Sequence, residues 1–282
     1  MARTKVTANP PPPSINYKPL YPWASDNLLA ETSSLTSLAD WRAHLDSEPD
    51  FKGRAFGREC DAYIFVRPCA EGEPVCVDNR ANDGEPFLFF YQIVFKRNRQ
   101  RPPFNSFERQ LLTEINVAPA QLHPNSWAFI KAFSILCNYF SHAPLVDVFL
   151  HFFEAKSQGK NLWVSFSGIT GRVILALFQQ SYKGFKKKFF KVCCSEHDRT
   201  ALDGFPLYWV EKLKLKKAKT LDEFSSADRR VCQVLASLRV IFNTAELIKN
   251  KYHPTGLASY IGIGILSCSF LCFSLSVNLY LC

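Results

Sequence analysis

The chain has 282 residues, 47% hydrophobic and 21% charged, with 25 Phe, 10 Tyr and 5 Trp. This supports one large domain, or two small ones, plus tails, and excludes wholesale disorder, collagen and a coiled-coil rod. Its 34 Lys and Arg against 25 Asp and Glu leave a net charge of +9, which favours an anionic partner, nucleic acid or an acidic membrane surface, and says nothing about fold.

Residues 1–36 carry the proline run Pro10 to Pro13 and read as a disordered Pro-rich tail. The start of the chain has no apolar signal stretch, so the ten cysteines read as reduced thiols. There is no C-x-x-C pair, and Cys193, Cys194 and His197 lack a second ligand pair, so neither a metal nor a cofactor is expected.

From Ser37 to Glu48 the apolar residues Leu38, Trp41 and Leu45 recur at helical spacing, ended by Pro49. Asp61 to Pro68 reads as a strand, Glu71 to Pro86 as loop, and Phe87 to Phe95 as a dense apolar run closed by Lys96, Arg97, Arg99 and Arg101. A helix is expected from Asn105 or Ser106, with Phe107, Leu111, Leu112 and Ile115 on one side, stopping before Pro119. The next starts at Pro124 and is apolar nearly all round, Trp127 through Phe140, which marks a central buried helix. A third follows Pro144, with Leu145 to Phe153, and runs to the polar stretch Lys156 to Lys160. Leu162 to Phe166, Phe189 to Cys193 and Phe205 to Val210 are strand candidates. Helices with a small sheet make the fold class α+β and helix-dominated, with a main domain over residues 37–220.

Several ordered blocks carry a resemblance. They are Pro103-Phe104 with Phe107, the run Ala118-Pro119-Ala120-Gln121-Leu122-His123-Pro124-Asn125-Ser126-Trp127, then Phe133 to Cys137, Phe149 to Phe153, and Trp163 with Phe166. Lys183-Gly184-Phe185-Lys186 before Phe189-Phe190-Lys191-Val192, and Phe205-Pro206-Leu207-Tyr208-Trp209, continue the order. Over about residues 84–210 the chain resembles the plant gypsy-type transposon (transposase) proteins, several blocks in register being far more specific than one short motif. Phe185 stands where members commonly have Trp. The resemblance implies retroelement ancestry and no established reaction.

The residues themselves offer no catalytic set. The Asp-Thr/Ser-Gly of an aspartic protease and the paired aspartates of a reverse transcriptase are absent, as is an integrase-like His/His/Cys/Cys set. From Leu111 to Phe153 the only acidic residues are Glu114 and Asp147, too few for a two-metal transposase site. Ser167 to Arg172 lacks the Gly-Lys-Ser/Thr ending of a phosphate loop and reads as a turn between a strand and a helix. His123 reads as a helix-start residue, and Trp127, Trp163 and Trp209 as core.

Charge is more informative. Ser181 to Lys219 holds eleven Lys or Arg and four Asp or Glu, net +7. Lys183, Lys186, Lys187, Lys188 and Lys191, followed by Lys212, Lys214, Lys216, Lys217 and Lys219, are the candidate phosphate contacts to DNA or RNA, tolerant of sequence. The second cluster also fits a nuclear-import signal, and a solvated basic face explains both equally well.

Residues 225–251 read as one amphipathic helix started by Ser225 and Asp228, whose stripe of Val231, Leu235, Leu238 and Phe242 packs on its own domain or supports self-association, as a Gag-like ancestor would. Thr255 to Cys282 is uncharged, and Leu257 to Leu281 is long enough as a helix to span a membrane, with Lys249 and Lys251 keeping the N-terminal bulk cytosolic. Two readings stay open there: a tail anchor, or non-coding sequence appended to the gene; without the anchor the protein is nuclear or cytoplasmic. The leading functional expectation is a retroelement-derived, non-catalytic protein that binds nucleic acid or assembles like Gag. A tail-anchored protein that binds a protein partner comes second and an active transposase last.

Overall fold

A computed structural model describes residues 15–37, 39, 64–81, 85–176, 182–194, 200–238, 240–251 and 253–269. The first correction concerns the expected tail, because residues 15–37 pack onto the domain. Tyr21, Ala24, Leu28 and Leu35 are buried, and the Tyr21 hydroxyl donates to Asp78 at 2.8 Å. A one-turn helix, α1 (Asp26–Leu29), is capped by Ser25, whose hydroxyl accepts from the Leu28 N–H. The proline run ends at Pro13, and the aromatic and leucine side chains beyond it carry enough apolar area to favour burial. The proline run itself lies outside the described residues, as does all of the helix expected from Ser37 to Glu48 except Ser37 and Ala39.

Strand β1 (Ile64–Arg67) falls within the expected strand. The loop after it is irregular yet inserted into the core, with Val75, Cys76 and Val77 buried and the Val75 N–H donating to the Glu31 carbonyl at 3.0 Å. The apolar run resolves into two elements: β2 (Phe87–Tyr91), buried at every position, passes directly into helix α2 (Gln92–Asn98).

Helix α3 (Ser106–Ile115) starts with a capping box: the Asn105 side chain accepts from the Glu108 N–H at 2.9 Å, and Glu108 accepts from the Asn105 N–H at 3.1 Å. It buries Phe107, Leu111, Leu112 and Ile115 and ends where Asn116 turns left-handed at φ 50°. Helix α4 (Pro124–Tyr139) is the central element, buried from Ser126 to Cys137 on all sides except at Lys131. Trp127, at 0% exposure, stacks on Phe104 at 5.0 Å and donates through Nε1 to the Pro119 carbonyl. Ser126 accepts from the Phe166 N–H at 3.0 Å, which ties this helix to the neighbouring hairpin.

Helix α5 (Val146–Phe152) stops sooner than its apolar run suggests. The polar stretch is a strand, β3 (Phe153–Gln158), paired antiparallel with β4 (Trp163–Gly168). Phe153 and Ala155 point inward while Glu154 and Lys156 point out, a period of two that a helix could not bury on one face. Of the segment Ser167 to Arg172, Ser167 and Gly168 end β4 and the rest is a turn with Gly171 at φ +81°, which leads to a two-residue strand, β5 (Leu175–Ala176), instead of a helix.

Strand β6 (Phe189–Cys194) is the middle of a three-stranded antiparallel sheet in the order β1-β6-β2, placing Ile64 opposite Cys194 and Phe87 opposite Cys193. The strand expected over Phe205 to Val210 is absent. That segment is irregular because the Gln121 side chain serves Val210 as a strand partner would, accepting from its N–H at 3.2 Å and donating to its carbonyl at 2.9 Å.

The long amphipathic helix is broken. Helix α6 (Ser226–Ser237), started by Ser225 as expected, ends before a short strand, β7 (Phe242–Asn243), that pairs parallel with β5. Asn243 then accepts from the Ala245 and Glu246 N–H groups and starts α7 (Thr244–Asn250), so a residue in the middle of the expected helix is a helix start. The stripe Val231, Leu235, Leu238 and Phe242 is buried against the chain's own core, at 9%, 0%, 9% and 1% exposure.

The last described helix, α8 (Pro254–Ser269), is apolar, but its start docks on the domain. Ile261 is fully buried, and the Tyr260 hydroxyl accepts from the Asn243 N–H at 3.0 Å. Of the span expected over Leu257 to Leu281, residues beyond Ser269 lie outside the described set, and among the described residues no helix is long and apolar enough to cross a membrane. The fold is thus α+β and helix-dominated, with small sheets.

Candidate functional site

The ten lysines of the basic segment separate into two groups on either side of an aromatic seam. The first group surrounds the turn that precedes β6, where Gly184 takes φ +71° and a single 3-10 turn holds Phe185 to Lys187. Lys183, Lys187 and Lys188 are exposed. Their backbone is fixed from behind: the Ser34 N–H and hydroxyl donate to the Lys187 carbonyl, and the Gln92 N–H donates to the Lys188 carbonyl at 2.9 Å. Lys186 is half-buried, paired with Glu31, with Nζ 4.8 Å from the Trp163 ring centroid.

Lys191 is a correction. It points inward from the middle strand at 7% exposure, pairs with buried Glu73 at 2.7 Å and lies over the Phe87 ring at 4.8 Å. A side chain so enclosed cannot reach a phosphate. Lys187 and Lys188 precede the strand and stay outside.

The second group lies on residues 211–220, an irregular strap crossing from the end of α3 to the start of α5. The Asn116 side-chain amide donates to the Lys212 carbonyl at 2.7 Å, and the Lys214 N–H donates to the Ile115 carbonyl at 2.9 Å, satisfying groups at the left-handed end of α3. Lys216 pairs with Glu114, and Lys219 pairs with Asp147. His151 Nδ1 lies 3.0 Å from the Lys219 carbonyl, which only accepts, and 3.2 Å from Arg172 Nη1, which only donates. Burial, and with it the nearby Arg172 cation, lowers the His151 pKa against the opposing pull of the Lys219 carbonyl. Lys212, Lys214 and Lys217 are exposed.

Between the groups lie Trp163 and Trp209, with ring centroids 5.2 Å apart, and Phe185. Trp127, Trp163 and Trp209 are 0%, 3% and 5% exposed, so none offers a face on which a base could stack. His123 belongs to this seam as well. Its Nδ1 accepts from the Asn125 N–H at 3.2 Å as the N-cap of α4, and burial together with Lys186 lowers its pKa to about 4. It is a structural cap, held neutral.

The acidic partners were not legible as such. Glu31 sits in the expected tail, and Glu114 and Asp147 stood out in the sequence only as isolated carboxylates. Glu114 and Asp147 are both partly buried at the margins of their helices, and only the path of the strap brings lysines to them. Among the described residues no three His, Cys, Asp or Glu side chains come together as a metal-ion set. Cys76 and Cys137 are buried thiols whose pKa burial raises to about 12.

Residues 93–157 match the family model described as "Putative gypsy type transposon". That stretch, from within α2 to within β3, is similar to a gypsy-type transposon domain over a narrower range than the resemblance of the sequence blocks; it includes Glu114 and Asp147 and none of the ten lysines. No curated protein and no solved structure matches the chain.

Proposed function

We propose, on the premise of a gypsy-type transposon domain at residues 93–157, that this retroelement-derived protein acts without catalysis as a binder of nucleic acid, contacting phosphates and not reading bases. One observation carries this reading: Lys183, Lys187 and Lys188 on one side of the Trp163–Trp209 seam, and Lys212, Lys214 and Lys217 on the other, are exposed, with no carboxylate paired to them among the described residues. Ammonium groups on a rigid support neutralise phosphates by displacing condensed counterions, which gives affinity without sequence preference. Buried tryptophans remove the alternative of a stacking platform. Gag-like assembly is no longer carried by the α6 stripe, which the core consumes. A tail-anchored reading has the charge-free residues from Thr255 onward in its favour, and against it the docking of Tyr260 and Ile261.

Filter binding of a labelled oligonucleotide across a salt series tests the proposal. Replacing Lys183, Lys187, Lys188, Lys212, Lys214 and Lys217 by Glu should abolish retention at low salt while thermal unfolding changes little. Wild-type binding should weaken steeply with salt and be insensitive to base sequence. Absent retention at low salt, or retention that ignores salt, overturns it.

A further inference from the structure

We infer that Glu114 and Asp147 set the specificity of the basic strap: each carboxylate occupies the position that a phosphate would take on Lys216 or Lys219, so that only a partner of dense negative charge displaces them. The inference rests on the nucleic-acid reading above and deepens it. Both carboxylates come from helices of the packed domain, Glu114 from the last turn of α3 and Asp147 from the first turn of α5, whereas both lysines come from a segment without secondary structure of its own.

The two pairs are open to exchange. Lys216 and Glu114 have side chains 45% and 21% exposed, and Lys219 and Asp147 42% and 40%. In such surroundings an ion pair is weak and solvent-screened, so a polyanion can compete for the ammonium. Neither pair is needed to hold the strap in place. Its backbone is fixed independently by Asn116 on the Lys212 carbonyl, by Lys214 on the Ile115 carbonyl, and by His151 on the Lys219 carbonyl. Glu114 also accepts from Gln110 at 2.7 Å, which positions the carboxylate when the lysine leaves. A single anion gains little by replacing one carboxylate with another. A chain of phosphates gains, because each displaced pair adds a contact to a partner already held by Lys212, Lys214 and Lys217.

The test compares full-length wild type with the double variant E114Q/D147N, which keeps side-chain size and removes the competing charge. Its control, E85Q/E154Q, removes two exposed carboxylates paired with Arg67 and Lys156 and so changes net charge equally. With labelled oligo(dT), E114Q/D147N should bind about two- to fivefold tighter per freed lysine at low salt. Its log affinity against log salt should keep the wild-type slope, because phosphates reach both lysines in either protein. The control should lie near wild type. Adding K216A/K219A should cancel the gain in E114Q/D147N and should weaken the wild type too, by a smaller factor, since there each contact is offset by a broken ion pair. A control that gains as much as E114Q/D147N, or a gain that survives K216A/K219A, overturns the inference and leaves the nucleic-acid reading standing. Failure of every version to bind at low salt overturns the nucleic-acid reading, and the inference with it.

Discussion

Lys191 and Lys216 lie in one basic segment and each faces a glutamate, yet the strand and the strap use the same pair of residue types for opposite ends. In β6 the Lys191–Glu73 pair is sealed in the sheet against Phe87 and forms part of the core. On the strap the Lys216–Glu114 pair is solvated and exchangeable. A buried ion pair is costly to break because each partner would leave an uncompensated charge in a poorly polarisable interior, whereas an exposed pair is nearly replaced by water. Net charge per segment, which counts both lysines alike, overstates the surface available to an anion.

Three measurements bear on that contrast. The largest effect is expected at the frame from which both regions hang. Trp127→Ala empties a fully buried aromatic site in α4 and should cost about 3–5 kcal/mol in chemical unfolding. A variant that keeps its stability but loses nucleic-acid binding would break the comparison by turning a core residue into an interface residue.

The contrast itself is sharpened by removing each glutamate in turn. Glu73→Ala should cost about 3–5 kcal/mol, by stranding Lys191, while Glu114→Gln should change stability by less than about 0.5 kcal/mol. Equal losses in denaturant titrations would erase the distinction between strand and strap.

A third measurement concerns pH. His123 is held neutral in the fold to about 4 against an ordinary value of 6.5, so between these values the unfolded chain binds the proton and the folded one does not. Stability is therefore full above pH 6.5 and declines as pH falls toward 4, by roughly 3 kcal/mol from this residue. Protonation also removes the Nδ1 lone pair that caps α4. His123→Asn keeps a capping acceptor without titrating, so its stability curve should be flatter across that window. Parallel curves for variant and wild type would refute the neutral cap.

Much of the frame was legible locally. The start of α3 near Asn105, the Pro124 start of α4 and its apolar residues on every side, and the Ser225 start of α6 are properties of neighbouring residues, and each appears where the sequence places it. The strand character of β4 and β6 is likewise local. The helix expected over 225–251 failed because Phe242 pairs with the strand after Ile174, a contact made by residues distant in sequence. Strand character at Phe205 to Val210 was lost to the side chain of Gln121 for the same reason.

Composition, caps and hydrophobic period by themselves determined an α+β domain around a buried central helix and a surplus of lysine near residues 181–219, because these depend on what each residue does within a few positions of itself. Which lysines face water was decided only in three dimensions. Glu73 comes from a loop, Glu31 from a segment that reads as a tail, and Glu114 and Asp147 from two helices, and whether each meets a lysine in the core or at the surface depends on how far the chain closes around the pair. Burial sets the energy of a charge, and burial is a property of the assembled fold.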